Sequence, residues 1–312
     1  MLVTAMTTDA VALVPPLRLG VFGSVVRAAV PVATVVAGLI VLWYGLAVWL
    51  NAPQIIDRFA RDQKTWTARE LVDATWSMDR PVLPAPHQIA ANLYESVFQT
   101  SIDSKRSLVY HAGVTVSSTL LGFALGSVLG IVLAIGIVYS RVLDRSLLPW
   151  IIASQTVPIL AIAPMVVVVL GSLGFVGLLP KAIISMYLCF FPVTVGMVKG
   201  LRSPDPLQLD LMRTYSASRS QVLWKLRWPA ATEFLFASLK VAIATSLVGA
   251  IVGELPTGAQ AGLGARLLSG SYYGQTIQIW SALIMASIIG VVLVFLVSVI
   301  ERLVARGRGM PA

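Results

Sequence analysis

Six apolar runs, each near the length a helix needs to cross a bilayer, decide what this chain can fold into. They cover residues 28–50, 112–138, 151–173, 175–198, 234–254 and 277–300. In hydrocarbon no water is available to the backbone, so each run must bond to itself as a helix. The fold class expected is therefore an all-α membrane protein with six transmembrane helices. Composition agrees: 57% of the 312 residues are hydrophobic, 12% are charged, and mean hydropathy is +0.84, which leaves too little polar surface for a water-soluble chain. A formal charge of +9 would suit a nucleic-acid partner, but the basic residues sit at the ends of apolar runs and build no basic domain. The lone Cys189 excludes an intrachain disulfide.

The runs divide the chain. Residues 1–27 read as a cytoplasmic leader and 28–50 as the first membrane helix, too long for the apolar core of a cleaved signal and therefore retained. Residues 51–110 form a polar external segment in which seven basic residues balance seven acids. Within it Leu83-Pro84-Ala85-Pro86 is a turn, and residues 86–98 form a short amphipathic helix with Ile89, Leu93 and Val97 on one face. Residues 111–305 hold five further spans and a cytoplasmic hairpin at 202–230, and 306–312 are a tail. In the second span Ser118, Gly122, Gly126, Gly130 and Ala134 recur every four residues, a row that lets another helix approach closely. Pro158 and Pro164 interrupt the third span, and Pro180 and Pro192 the fourth. Residues 139–150 read as a short basic turn, and 255–276 as an external cap or re-entrant piece.

Orientation follows from Lys and Arg. With the N-terminus inside, the leader, the 139–150 and 199–232 loops and the tail hold 13 of them, against Arg266 alone in the 255–276 loop. Both termini are expected in the cytoplasm.

The most informative polar stretch is residues 210–229, DLMRTYSASRSQVLWKLRWP. Arg213, Arg219, Lys225 and Arg227 face one acid, Asp210, so it cannot lie in hydrocarbon. Ser218 with Gln221 forms a capping box, and serines compete for backbone bonds. The pattern predicts helices over 210–215 and 219–228 joined by a turn at 216–218, with Pro229 opening the next helix. Val222, Leu223 and Leu226 give the second helix an apolar stripe.

This stretch resembles the signature loop of ABC-importer permeases, E-A-A, three residues, G, then a spacer ending in L-P. Asp210 takes the acid position, Leu211 and Met212 the alanines, Ser216 the glycine, and Trp228-Pro229 the final pair. Ala217, Ser218 and Gln221 fit the nitrate, sulfonate and taurine branch, and so does the L-P-x-P turn upstream. The resemblance implies a type I ABC importer permease fold in the bacterial inner membrane. It further implies a pathway enclosed by two permease subunits, an external binding protein that delivers solute, and two separate ATPase subunits that use ATP and Mg. It also makes Asp210, Arg213, Tyr215, Ser216, Ala217, Ser218, Arg219 and Gln221 the ATPase-coupling hairpin. Tyr215, Ser216 and Ala217 would lie nearest the ATPase groove, with Arg213 and Arg219 facing its acids.

Ionisable groups at membrane depth are Lys181, Lys240 and Glu254. Glu254 closes the fifth span and, with Pro158, Pro164 and Pro192, makes up the candidate pathway set. No phosphate-binding G-x-x-x-x-G-K-[S/T] occurs, His87 and His111 stand without metal-ligand spacing, and no nucleophilic triad is recognisable. The expectation is a chain with no catalytic residues, no metal and no bound cofactor. The rival readings are an ion-coupled secondary transporter or channel using Glu254 and Lys240, and a structural membrane anchor. Gly253-Glu254-Leu255-Pro256-Thr257-Gly258-Ala259 resembles relatives that handle pyrimidine-like vitamin precursors. Organic anions such as sulfonates and aromatic carboxylates stay open as solutes.

Overall fold

The computed structural model describes residues 21–256 and 261–307, and every regular element among them is helical. The elements are α1 (Val21–Arg61), α2 (Ala68–Trp76), α3 (Pro86–Tyr94), α4 (Leu108–Tyr139), α5 (Arg141–Ser154), α6 (Ile159–Ser172) and α7 (Leu178–Leu201). There follow α8 (Pro206–Thr214), α9 (Arg219–Val222), α10 (Trp228–Gly253), α11 (Leu263–Tyr272) and α12 (Thr276–Gly307). Among the described residues five helices are long and apolar enough to cross a membrane, and α5 with α6 makes a sixth if that bent pair is one span. The first 20 residues of the leader, Thr257 to Ala259 of the glycine-rich stretch and the tail beyond Gly307 lie outside the described residues.

α4, α7 and α10 form the centre, with α7 between the other two. The small-residue row of α4 meets α7 one turn at a time. A methyl group added at Gly122 would collide with the Ser185 side chain, at Gly126 it would stand 3.0 Å from Cys189 Cβ and Sγ, and at Gly130 2.8 Å from Val193 Cβ. α10 meets α7 in the same manner, since Gly196 faces Ser238, Gly200 faces Ala231 and Gly249 faces Ser185. Lipid tails are as apolar as leucine, so what holds membrane helices together is this close van der Waals fit and the hydrogen bonds it brings within reach. At the crossing, the Ser185 hydroxyl lies 2.6 Å from both the carbonyl and the hydroxyl of Ser246, while the Ser246 hydroxyl donates to the Thr119 carbonyl at 2.9 Å.

Three boundaries differ from the sequence expectation. The first helix does not stop at residue 50 but runs to Arg61, because Ile55 and Phe59 continue an apolar face onto Leu71, Ala74 and Met78. Residues 141–150 are not a turn: Ser140 caps Leu143 N–H, and α5 begins there. The expected third span at 151–173 is two helices bent by 99°, with Pro158 as the N-cap of α6. Proline has no N–H to extend α5 and disfavours helical geometry at Val157 before it, so the chain turns there. Pro164 and Pro192, in contrast, sit inside α6 and α7 without breaking them.

One buried side chain of α1, Asn51, also ties down the polar segment that follows. Asn51, with no exposed surface, accepts from the N–H groups of Val82 and Leu83 at 2.8 and 3.3 Å and donates to the Leu83 carbonyl at 2.9 Å. It thereby fixes the Leu83-Pro84 turn and the start of α3, whose Gln88 reaches back to Ala85 N–H at 3.0 Å.

Candidate functional site

The hairpin forms at the end of the bundle where α7 leads into α10. Asp205 caps α8 by accepting from Leu207 N–H at 2.8 Å, and Pro206 takes the first turn, so this helix starts earlier than the expected residue 210. It ends where Ser216 adopts φ +51°, with Ser216 N–H bonded to the Arg213 carbonyl at 2.8 Å and Ala217 N–H to the Met212 carbonyl at 3.0 Å. That is the left-handed helix stop at which glycine is the usual residue. Ser218 then opens α9 through the capping box: its hydroxyl accepts from Gln221 N–H at 3.3 Å and its own N–H donates to Gln221 Oε1 at 2.8 Å.

The second hairpin helix does not end at residue 228. α9 passes through a π-helical turn, Leu223–Arg227, directly into α10. The widened turn comes just before Pro229, whose ring would strike the Lys225 carbonyl in regular α-helix. Hairpin and span are one rod.

Of the residues assigned to the hairpin, Asp210, Arg213, Tyr215, Ser216, Ser218, Arg219 and Gln221 are exposed and Ala217 is half-buried. Leu207, Leu211 and Tyr215 follow at four-residue spacing and are 77%, 55% and 76% exposed, an apolar stripe that none of the described residues covers. Arg213 pairs with Asp210 of its own helix at 2.8 Å. On the inner side the Tyr139 hydroxyl, at the end of α4, donates to the Arg219 carbonyl at 3.2 Å. Arg227 Nη1 donates to the Leu201 carbonyl, at the end of α7, at 2.8 Å, and its guanidinium lies 5.7 Å from the Tyr139 ring centre.

At the opposite end, Glu254 is fully buried. Thr115 Oγ1 lies 3.0 and 2.9 Å from its two oxygens, Gly264 N–H donates to Oε2 at 2.9 Å, and Lys181 Nζ stands 3.6 Å from Oε1. The segment that returns to α11 is held by the same groups. Lys181 donates to the Ala261 carbonyl at 2.7 Å, His111 Nδ1 accepts from Gly262 N–H at 3.0 Å, and Thr115 Oγ1 accepts from Leu263 N–H at 2.9 Å. A side chain at Gly262, where φ is +126°, would run into the Glu254 carboxyl.

Beside this knot a cavity of about 780 Å³ opens among the first turns of α4, the end of α6, the start of α7 and the end of α10, with Lys181 and Ala261 on its wall. A second, of about 540 Å³, lies near the hairpin and includes Lys199 and Arg202. Pro158, Pro164, Pro192 and Glu254 line neither cavity. Lys240 pairs with Glu301 of α12 at 2.5 Å rather than with Glu254. Sequence reasoning missed Thr115 and Gly264 as partners of Glu254, and His111 as the acceptor for Gly262 N–H. The one local signal was Gly262-Leu263-Gly264, a pair of glycines bracketing a close backbone approach; nothing in the sequence pointed to Thr115.

Comparison with known proteins converges on the same region. A probable ABC transporter permease protein of Haemophilus influenzae is 31% identical over 220 residues, covering 70% of this chain and 87% of the relative. The formylaminopyrimidine transport permease protein ThiX of Halalkalibacterium halodurans is 32% identical over 59% of this chain and 68% of its own length. The putative aliphatic sulfonates transport permease protein SsuC of Bacillus subtilis is 24% identical over 73% and 78%. Residues 126–309, from the glycine row of α4 through the hairpin to the end of α12, match the family described as binding-protein-dependent transport system inner membrane component, and this chain belongs to that family.

Proposed function

We propose that this chain is the pathway-forming subunit of an ATP-driven importer for a small organic solute, working as a pair of permeases. Two separate ATPase subunits dock on the hairpins and use ATP and Mg; an external binding protein delivers the solute. The chain itself supplies no catalytic group and binds no cofactor. It lies in the inner membrane with both termini and the hairpin in the cytoplasm. The observation that carries this reading is the bare stripe of Leu207, Leu211 and Tyr215 on a hairpin continuous with α10. An apolar patch rimmed by charge on an otherwise polar turn marks a protein partner, and a rigid rod behind it transmits the partner's movement to the span. Closure of the ATPases brings the hairpins together and alternates access to the pathway.

Relatives are named for formylaminopyrimidine and for aliphatic sulfonates, and the solute classes in this reading are a pyrimidine-like vitamin precursor and an organic anion such as a sulfonate or aromatic carboxylate. The test of the coupling reading is an affinity pull-down in detergent, with ATPase activity assayed on the co-purifying chains. A stoichiometric ATPase that is lost on Tyr215→Ala with Arg219→Glu is the expected result. A chain that purifies alone and moves solute in liposomes without ATP overturns it.

A further inference from the structure

The cavity beside the Glu254 knot has the size of a small-molecule site, which is typically about 300–1,000 Å³. Tyr110 and Phe175 give it two aromatic side chains, and most of the remaining wall is aliphatic. Among the described residues the one charged side chain on its wall is Lys181. That charge is already matched: the Glu254 carboxylate, fully buried and not among the residues lining the cavity, stands 3.6 Å away, and an N–H of Lys181 is taken by the Ala261 carbonyl.

An anion entering here would gain no uncompensated cation and would lose its hydration, while a cation would meet an ammonium group. An uncharged ring meets neither cost. Flat π-systems gain from offset or edge contacts with aromatic side chains. The polar groups add direction. Lys181 has an N–H left to give to a ring nitrogen or carbonyl. Ser117 gives its own hydrogen to the Val114 carbonyl at 2.8 Å, so its oxygen is left to accept from an amino group.

We propose that this cavity is a solute subsite for an uncharged, flat heteroaromatic molecule carrying both a ring acceptor and an N–H donor. Tyr110 and Phe175 contact the ring, and Lys181 and Ser117 orient it. Glu254 is a positioning residue, acting through Lys181 and through the backbone of Ala261 to Gly264. The inference rests on the importer reading above.

Because Cys189 is the chain's one cysteine and is buried, a thiol can be placed on the cavity wall and followed alone. In Val114→Cys with Cys189→Ala, the rate of labelling by a thiol reagent in detergent is measured with 4-aminopyrimidine, benzoate or methanesulfonate at millimolar concentration. The expected result is that 4-aminopyrimidine slows labelling about tenfold and the two anions do not. Adding Phe175→Ala should raise the 4-aminopyrimidine concentration that gives half protection about tenfold, the ratio given by about 1.4 kcal/mol. Protection by the anions instead, or by none of the three, overturns the subsite. Retention of the ATPase in the pull-down tells that failure apart from failure of the importer reading.

Discussion

Lys181 of α7 and Glu254, which caps the end of α10, face each other at 3.6 Å in a place from which solvent is almost wholly excluded, 73 positions apart in sequence. Removing one partner leaves a buried charge without compensation, which costs about 3–5 kcal/mol, whereas replacing both by apolar groups is far less damaging. Glu254→Ala and Lys181→Met are each expected to lower the thermal midpoint in detergent strongly, and Lys181→Met with Glu254→Leu to recover part of the loss. Additive single effects would show that the two charges do not act as a pair.

Gly262 makes the same knot sensitive to one methyl group. At φ +126° an L side chain is strained, and a Cβ there would occupy the space of the Glu254 carboxyl. Gly262→Ala should therefore detach the segment before α11 rather than unfold the bundle. Hydrogen exchange in nanodiscs should rise at the amides of Gly262, Leu263 and Gly264 and stay unchanged in α7. Protection equal to the unsubstituted protein would mean that the carboxyl can move aside.

The spans were legible because hydrocarbon imposes one rule on every residue in them, and the glycine row of α4 because close helix contact needs small side chains at fixed spacing. The turn at Ser216 and the box at Ser218 and Gln221 were legible for a different reason: they are local, and their bonds close within a few residues. α5 was hidden by its charges, since Arg141, Asp144 and Arg145 read as a turn between spans while Ser140 in fact caps a helix. Glu254 was legible as an ionisable residue at a span end, but its setting was not. Thr115, Lys181 and Gly264 reach it from three elements, and no periodicity in one chain reports which helices meet.

Ser216 holds a backbone conformation that costs an ordinary residue about 1–2 kcal/mol relative to glycine. Ser216→Gly should relieve most of this and slow amide exchange of Ala217 about fivefold, the ratio that 1 kcal/mol gives. Ser216→Val should do the reverse, because a β-branched side chain fits the left-handed region worst. ATPase retention is the functional readout. If Ser216→Val holds the ATPase as well as Ser216→Gly does, the shape of this turn is not what the partner binds.

Two side chains tie the hairpin to α4 and α7. The Tyr139 hydroxyl ties the end of α4 to the Arg219 carbonyl, and Arg227 ties the rod to the last carbonyl of α7. α10 needs no such tie because it is the same helix as the hairpin's second arm. A hydrogen bond from a charged donor contributes about 1.5–3 kcal/mol and a neutral one about 1 kcal/mol. Arg227→Ala should therefore loosen the joint more than Tyr139→Phe, which keeps the ring beneath the guanidinium and loses only the hydroxyl. Neither residue belongs to the exposed stripe, so the ATPase should still co-purify and hydrolyse ATP with both variants. Solute moved per ATP in proteoliposomes should fall, by more for Arg227→Ala than for Tyr139→Phe. An unchanged ratio with both would mean that the continuous α10 rod alone carries the movement.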